Sequence, residues 1–340
     1  MSAVPRISVL MTVFNAGRFL REAVESICAQ TFKDFEFVII DDASTDGSVD
    51  ELKKWEREEV RIRLICNTEN SGQTACLNQG LREARGEWVA RQDADDVSLP
   101  RRLEKQWRCV TKEANVVLAG VNGWILDASG AVTGMIHVPP DDAAVRASML
   151  LRNPFVHTGV IFRRTDSRGE VVQYDERYRI CQDWELWSRL LEDGRGVNLS
   201  ERLVGYRHHS SSLSHESSEK TREESDRVVA AILAKPGDSV GMDERLVRGF
   251  REGLRAADRK EFWKSYGRRP ASAEAVHRVQ AAGAVAAEDW GAALAELAVA
   301  ARRAPFWTSG VLVRSLAIRL GLIRNLKTGS CDRGKRSAVE

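Results

Sequence analysis

Closely spaced carboxylates are the first feature of this sequence that indicates a reaction. Three of the four residues 93–96 (DADD) are acidic, and a second acidic pair occurs at Asp41 and Asp42. Such carboxylates repel one another, so folding them together is costly unless a cation or tight hydrogen bonding offsets the repulsion. Mg²⁺ and Mn²⁺ prefer one or two carboxylates together with phosphate oxygens and water. The acidic residues therefore predict a divalent-cation site that a diphosphate ligand would complete.

Two isolated residues indicate the same chemistry. Asp183 precedes apolar residues at helical spacing, which also allows it to be a helix N-cap, and His209 lies in a serine-rich loop.

The first predicted strand-to-helix turn contains neither GxxxxGK[ST] nor GxGxxG. A P-loop and a dinucleotide-binding loop are therefore excluded as the phosphate-binding device.

These residues follow a repeated alternation of strands and helices. Residues 7–14 form an apolar, β-branched run that is typical of a strand buried on both faces of a parallel sheet. The alternation continues with strands at 35–40, 61–65 and 87–91 and with helices at 19–27, 48–57 and 73–84. Ligands of such sheets bind beyond the carboxyl ends of the strands. The candidate site residues that follow these strands are Asn15, Asp41, Asp42, Asn67 and 93–96.

A mixed sheet is predicted for the next part of the chain. Short strands between 116 and 135 are interrupted at Asn122-Gly123 and at Ser129-Gly130, which favours a hairpin. Residues 160–162 form another predicted strand. We therefore expect antiparallel pairs beside the parallel half of the sheet.

The sequence changes in texture near residue 215, where we place a domain boundary. A polar, charged stretch (HESSEKTREESDR) is followed by alanine-rich segments that predict a helical hairpin at 273–283 and 289–301. The chain has 340 residues, enough for about two domains. We predict a catalytic domain over 1–215 and a helical region over 216–340.

Composition limits the partners and the compartment. The net charge is only +2, which excludes a dedicated nucleic-acid binder. The six cysteines show no zinc-binding spacing, so a reduced, cytoplasmic compartment is expected. The sequence predicts no export signal and no membrane span. Residues 302–340 combine leucines with many arginines, which is typical either of a helix on an anionic membrane surface or of a solvated helix with a disordered end.

Several segments together resemble family 2 glycosyltransferases of the GT-A fold. They occur in the expected order across residues 6–214: SVLMTVFN, FEFVIIDDASTDGS, NSGQTACLNQG, GEWVARQDADDVSLPRRLEKQ, CQDWELWSRLL and YRHHSSSLS. The resemblance implies an α/β fold with a Rossmann-like mixed sheet flanked by helices. It also implies an inverting transferase that takes a sugar from a nucleotide diphosphate, usually UDP-linked, and needs Mn²⁺ or Mg²⁺.

The resemblance assigns five residues to the nucleotide and donor. Thr12 and Phe14 match positions that contact the nucleoside, with Phe14 available to stack on the base; both are also compatible with strand packing. Asp42 matches the carboxylate that accepts a hydrogen bond from the uracil imide, with Asp41 beside it, although a turn role before Ser44 is an alternative. Asn78 matches a position that lines the donor side, or is a helix surface residue.

The remaining assignments concern the metal, the diphosphate and the acceptor. Asp95 matches the metal and diphosphate residue of the family motif, and Asp93 and Asp96 match contacts to metal, ribose or sugar. His209 matches a histidine near the metal or diphosphate, with His208 as an adjacent competitor. Asp183 matches the general base that deprotonates the acceptor hydroxyl, although Gln182 replaces the commoner Glu before it.

The resulting hypothesis is an enzyme of cell-surface polysaccharide or glycolipid synthesis. Its expected partners are a nucleotide-sugar donor and a saccharide or lipid-linked acceptor. Its expected location is cytoplasmic or peripheral at the inner face of the membrane. The main alternative is a catalytically silent sugar-nucleotide sensor or scaffold, and a nucleotidylyltransferase is disfavoured because NAGRFLRE lacks a glycine-rich basic loop. The sequence specifies neither the donor sugar nor the acceptor.

Overall fold

The computed structural model describes residues 4–113, 115–149, 152–209 and 218–233. The strands of these residues are β1 (Ile7–Val13), β2 (Phe35–Asp41), β3 (Ile62–Cys66), β4 (Trp88–Asp93), β5 (Val97–Ser98), β6 (Val116–Leu126), β7 (Val132–Ile136), β8 (Ile161–Arg163) and β9 (Arg195–Arg207). The α-helices are α1 (Leu20–Cys28), α2 (Ser48–Glu58), α3 (Gln73–Glu83), α4 (Arg102–Lys112), α5 (Asp142–Met149), α6 (Gln182–Asp193) and α7 (Ser218–Leu233). The described residues up to Ile232 belong to one compact unit.

One mixed sheet runs through this unit in the order β3-β2-β1-β4-β8-β6-β9-β5, and β7 pairs with β6. The first four strands are parallel, whereas β8 runs antiparallel to both β4 and β6. The predicted mixed α/β architecture is therefore confirmed. The parallel strands end together, so that Thr12 lies beside Asp93 and Val13 beside Asp41 in the register.

Burial explains why these segments become strands and helices. Every residue of β2 is buried, as expected for a central parallel strand covered on both faces. Helix α1 buries Leu20, Ala23, Val24 and Ile27, which recur at the spacing of one helical face. The core between sheet and helices fixes the carboxyl edge of the parallel strands.

The hairpin of the mixed half differs in detail from the sequence expectation. Strand β6 continues through Asn122 and Gly123, and the turn comes only at Ser129-Gly130, where Gly130 adopts a φ of 89°. Asn122 is satisfied within the sheet, because its amide donates to the Ser200 carbonyl and accepts from Val138 N–H. This Asn-Gly pair therefore supports close strand packing instead of a turn.

The predicted helical hairpin at 273–283 and 289–301 and the basic tail at 302–340 lie outside the described residues, as does the boundary near 215. Helix α7 follows that boundary and belongs to the same compact unit as the sheet. Among the residues that the structure describes, no helix combines the length and apolar character needed to cross a membrane.

Glu36 anchors the end of the sheet opposite the acidic residues. Its side chain is only 3% exposed and accepts hydrogen bonds from Ser8 Oγ at 2.7 Å, Arg85 N–H at 2.7 Å and an Arg63 nitrogen at 3.1 Å. Burial opposes ionisation of this carboxyl, but the bonds from Ser8, Arg85 and Arg63 prevail and lower its pKa. Its stabilising contribution is therefore present above the usual glutamate range and is lost as the pH falls through the lowered pKa.

We expect Glu36→Gln to destabilise the fold by about 1–3 kcal/mol, because a neutral amide cannot satisfy all the donors that surround this buried position. Denaturant unfolding at pH 7 measures the change. The same substitution at Glu87, whose exposed pair with Arg163 spans 3.7 Å, should cost no more than about 0.5 kcal/mol. Equal losses in the two variants would contradict the role given to Glu36.

Candidate functional site

The loop after β3 wraps around the carboxylate of Asp42. Oδ1 accepts hydrogen bonds from Ser71 N–H at 2.9 Å and Ser71 Oγ at 3.0 Å, and Oδ2 accepts from Gly72 N–H at 2.8 Å. Burial opposes ionisation, but these bonds, together with one from Asn67, lower the pKa of Asp42. Asp42 is therefore a fixed anion at the N-terminus of α3 at neutral pH.

Asp41 lies beside Asp42 and is held differently. It is fully buried; Oδ1 accepts from Ser44 N–H at 3.0 Å, whereas Oδ2 has no hydrogen-bond partner among the described residues.

The loops after β1 and β2 are joined by a hydrogen bond, in which Asn15 Oδ1 accepts from Thr45 N–H at 2.8 Å. Asn15 and Ala43 both have positive φ, at 50° and 61°, which non-glycine residues adopt only when the surrounding structure enforces it.

Thr12 and Phe14 occupy the carboxyl end of β1. Thr12 is partly buried, and its Oγ1 lies 3.5 Å from an Arg91 nitrogen. Phe14 is 53% exposed, so its ring is not used as core packing. An exposed aromatic ring at this edge is available for stacking on a planar ligand.

The acidic turn after β4 carries Asp93, Asp95 and Asp96. Asp96 is 1% exposed; its Oδ1 accepts from Arg207 N–H at 2.7 Å, and its Oδ2 is buried without a hydrogen-bond partner among the described residues. Burial, followed by repulsion from Asp95 and Asp93, raises the pKa of Asp96 well above its usual value. Burial and the charge of Asp93 also raise the pKa of Asp95, against the effect of His209.

Two fully buried arginines lie at the acidic turn. Arg91, in β4, pairs with Asp93, and Arg102, at the start of α4, donates to the backbone carbonyls of Arg91 and Thr158. Burial and the nearby charge of Arg91 lower the pKa of Arg102 to about 9, so it remains a cation at neutral pH. The two arginines place positive charge next to the carboxylates.

His209 reaches the acidic turn from the end of β9. Its Nε2 lies 2.8 Å from Asp95 Oδ2, and its ring stacks on Phe19 with centroids 4.6 Å apart. Arg207, on the same strand, donates from Nε to the Asp95 carbonyl at 2.8 Å and pairs with Glu22 at 2.6 Å. The competing His208 packs edge-on against Tyr206. Of the two histidines, His209 therefore makes the contact to the acidic turn.

These residues fit a divalent cation that shares its coordination with a ligand. Asp95 Oδ2 and His209 Nε2 converge, and Asp96 Oδ2 is a buried acceptor that is not hydrogen-bonded within the described residues. No group of three or more His, Cys, Asp or Glu side chains in the described part of the chain is placed as a complete metal cage. Mg²⁺ and Mn²⁺ commonly take only one or two protein carboxylates beside phosphate oxygens and water.

Asp183 lies at the start of α6 and is 8% exposed. Oδ2 accepts from Asn153 Nδ2 at 2.6 Å, and Oδ1 accepts from Trp184 N–H at 2.7 Å. Burial, with a smaller contribution from the charge of Asp93, raises the pKa of Asp183 to about 6 against these two hydrogen bonds. The N-cap position belongs to Cys181, so the N-cap interpretation of Asp183 is wrong.

Helix α3 holds the segment that leads to Asp183. Asn78 is buried; its amide donates to the Tyr174 carbonyl at 3.0 Å and accepts from Tyr174 N–H at 2.7 Å. Thr74 Oγ1 donates to the Tyr178 carbonyl at 3.1 Å. Asn78 is therefore a buried, hydrogen-bonded residue and not a surface residue. It joins α3 to residues 174–178.

Sequence reasoning missed several residues that shape this site. Arg91 carried a signal, because a charge within the otherwise apolar run of β4 needs a buried partner. Asn153 carried none, because its contact with Asp183 joins residues 30 positions apart. His157 also escaped notice; its ring packs against Tyr174, and burial lowers its pKa to about 3, so it is neutral.

Comparisons with known proteins find related sequences. A family model for glycosyl transferase family 2 matches residues 8–169. The putative glycosyltransferase EpsE of Bacillus subtilis is 36% identical over 221 residues, which are 64% of this chain and 78% of EpsE. The putative teichuronic acid biosynthesis glycosyltransferase TuaG of the same organism is 30% identical over 221 residues, which are 62% of this chain and 82% of TuaG.

Solved structures share the fold at lower identity. The S. aureus TarS 1-349 structure in complex with UDP-GlcNAc has a TM-score of 0.58 at 17% identity and covers 93% of this chain and 92% of that chain. The mannosyltransferase PcManGT from Pyrobaculum calidifontis, in complex with GDP-Man and Mn²⁺, has a TM-score of 0.51 at 16% identity. The match covers 94% of this chain and 88% of that chain. The predicted GT-A fold is confirmed by this likeness. With the family-model match and the extent of the identity to EpsE and TuaG, the chain belongs to glycosyl transferase family 2.

Proposed function

We propose that the chain transfers a sugar from a nucleotide-diphosphate donor, UDP-linked, to an acceptor hydroxyl with inversion at the anomeric carbon. The observation that carries the proposal is Asp183, a buried carboxylate with a pKa of about 6 that interacts electrostatically with Asp93 of the acidic turn. A group with that pKa is mostly ionised at neutral pH and still basic enough to take a proton. Asp183 lies near the acidic turn, which is suited to a diphosphate. This position suggests that it activates an acceptor hydroxyl next to the bound donor.

The nucleoside is proposed to bind at the ends of β1 and β2. Phe14, just after β1, supplies an exposed ring for stacking, and Thr12 lies two residues before it, within the strand. Asp42 supplies a fixed carboxylate for the uracil imide, with Asp41 beside it. The unpaired Asp41 Oδ2 supports a ligand donor at this edge, because such a donor would offset the cost of its burial.

The diphosphate is proposed to bind at the acidic turn together with Mn²⁺ or Mg²⁺. Asp95 and His209 would hold the cation, and Asp93 and Asp96 would contact metal, ribose or sugar. When bound, the cation stabilises negative charge on the leaving diphosphate. Asn78 is proposed to act on the donor side only through the 174–178 segment that it holds.

Asp183 is proposed to complete a single displacement. It accepts the proton of the acceptor hydroxyl while that oxygen forms a bond to the anomeric carbon and the bond from this carbon to the diphosphate oxygen breaks. Asn153 fixes Oδ2 of Asp183 with a 2.6 Å hydrogen bond, so the base has a defined orientation. No covalent sugar intermediate is needed.

The names of the relatives support a place in cell-surface polysaccharide or glycolipid synthesis. TuaG is described as a putative teichuronic acid biosynthesis glycosyltransferase, and WbnJ of Escherichia coli, 28% identical over 214 residues, as an O-antigen biosynthesis glycosyltransferase. We propose a saccharide or lipid-linked acceptor and a cytoplasmic location at the inner face of the membrane. Residues 1–215 are proposed as the catalytic domain, and 216–340 as a helical region whose basic tail contacts anionic lipid.

Asp95→Ala should weaken Mn²⁺-dependent UDP binding by about 10–100-fold or more, because it removes a carboxylate proposed to hold the cation. Calorimetry of UDP binding with and without Mn²⁺ measures the effect. Asp50→Ala, an exposed site on α2, is the control and should retain normal binding. Full Mn²⁺-dependent affinity in Asp95→Ala would remove this residue from the metal site.

Asp183→Asn should lower kcat for transfer by about 10²–10⁴-fold, since an amide cannot accept the acceptor proton. UDP affinity should stay within about 2-fold of the wild-type value, because Asp183 is not assigned to the nucleotide. Release of UDP from a UDP-sugar panel with saccharide acceptors gives the measurement. Asp193→Asn, at the exposed end of the same helix, is the matched control. Normal turnover by Asp183→Asn would refute the base assignment, and a wild-type chain that binds donors without turnover would refute the transferase proposal.

Activity should rise with pH through about 6 and then level off. The sign follows from the role of Asp183, which acts only when ionised and whose pKa burial raises to about 6. Tyr174, whose pKa burial raises above the accessible range, stays protonated and adds no inflection. The logarithm of kcat/KM between about pH 4.5 and 8 reports the pKa of the base in the free enzyme. A profile that already levels off below about pH 5 would contradict the assignment.

A further inference from the structure

Helix α7 contacts the active-site segment through the buried acid Glu224. Its carboxylate, 3% exposed, accepts hydrogen bonds from three consecutive backbone N–H groups: Arg179 at 3.1 Å, Ile180 at 2.8 Å and Cys181 at 2.9 Å. These contacts join residues 43–45 positions apart in the chain. Glu224 therefore binds the turn that immediately precedes helix α6.

This turn needs an external acceptor. Helix α6 has Cys181 at its N-cap, and the Cys181 side chain makes no capping hydrogen bond to the helix. The first N–H groups of a helix lack intrahelical partners, and a negative charge is favourable near them. Glu224 supplies both the acceptor oxygens and the charge, and so fixes where α6 begins.

The position of Asp183 depends on that starting point. Asp183 is the second residue of α6, two positions after Cys181. Because a helix is rigid over one turn, a displacement of the backbone at 179–181 would be carried to Asp183. On the other side, Thr74 and Gln73 of α3 bond to Tyr178 and Gln182, so the segment is held from two helices.

Other contacts of α7 reinforce the same turn. The Arg227 guanidinium lies 5.6 Å from the centroid of the Tyr178 ring, and Cys181 Sγ lies 3.8 Å from the Thr221 carbonyl oxygen. Thr221, Glu224 and Arg227 recur every three residues, so their contacts belong to one side of α7. The neighbouring Glu223 is exposed.

We propose that Glu224 is a positioning residue for the catalytic base. It touches neither donor nor acceptor; it holds the 179–181 turn so that the carboxylate of Asp183 meets the acceptor hydroxyl. The inference rests on the proposed function, because it takes Asp183 as the base. It extends the catalytic machinery to α7, a helix outside the segments that carry the family resemblance.

The test uses the full chain with Glu224→Gln and, as the matched control, Glu223→Gln. The amide introduced by Glu224→Gln keeps the size of the side chain but removes its charge, and its NH₂ group opposes the Arg179 N–H even when its oxygen occupies the place of Oε2. We expect kcat to fall about 10–100-fold, as a displaced catalytic group predicts, while donor KM and UDP affinity stay within about 2-fold. Glu223→Gln should match the wild type in every measurement.

Hydrogen exchange gives a readout independent of turnover. The amides of 179–184 should exchange faster in Glu224→Gln, while those of β1 and β2 keep wild-type rates. Glu224→Asp retains the charge with a shorter side chain, so it should recover part of kcat and part of the protection of these amides from exchange. It also replaces Glu224→Gln in the test if that variant does not fold. Wild-type kcat in both variants, or a parallel loss of UDP affinity, would overturn the inference. A wild-type chain without transfer activity would instead overturn the proposed function, which keeps the two failures distinct.

Discussion

Repulsion among the carboxylates of the acidic turn is the constraint to which the rest of the site responds. Asp93, Asp95 and Asp96 lie within four residues at the end of a buried strand, where low solvent exposure strengthens their interaction. Arg91 offsets part of this charge through Asp93, and Arg207 does so through its backbone N–H group to Asp96. Burial, and after it the remaining repulsion between these carboxylates, raises the pKa values of Asp95 and Asp96. What remains is a negative potential that favours a divalent cation together with a ligand.

The elements that hold these charges also connect the two ends of the site. Helix α3 begins just after Gly72, whose N–H donates to Asp42, and continues to Asn78, which grips Tyr174. The same helix therefore fixes the carboxylate assigned to the nucleoside and the segment that leads to Asp183. A shift of α3 would therefore move Asp42 and the segment before Asp183 together. Asn78, in the middle of the helix, makes this connection through its hydrogen bonds to the Tyr174 backbone.

The sequence predicts what depends on local pattern, and fails where distant residues meet. Strands buried on both faces leave continuous apolar runs, so β1 and β2 and the acidic pair at the end of β2 were predictable within a residue or two. Asn122-Gly123 reads as a turn, yet contacts to Ser200 and Val138 keep it within β6. Glu224 lies in the polar, charged stretch after residue 215, and only the fold of α7 brings it to the 179–181 turn. Local propensity cannot report such contacts, because their partners are tens of residues away.

Two aspartates at helix N-termini show how the same element produces opposite chemistry. Asp42 lies at the start of α3 and Asp183 at the start of α6, where the helix dipole favours the charged form of each. Asp42 accepts bonds from two backbone N–H groups and a hydroxyl, and its pKa falls despite burial. Asp183 accepts one backbone N–H and one amide, and burial prevails, raising its pKa to about 6. The balance between burial and the donors around each carboxylate therefore decides which is a fixed anion and which retains enough basicity to take a proton.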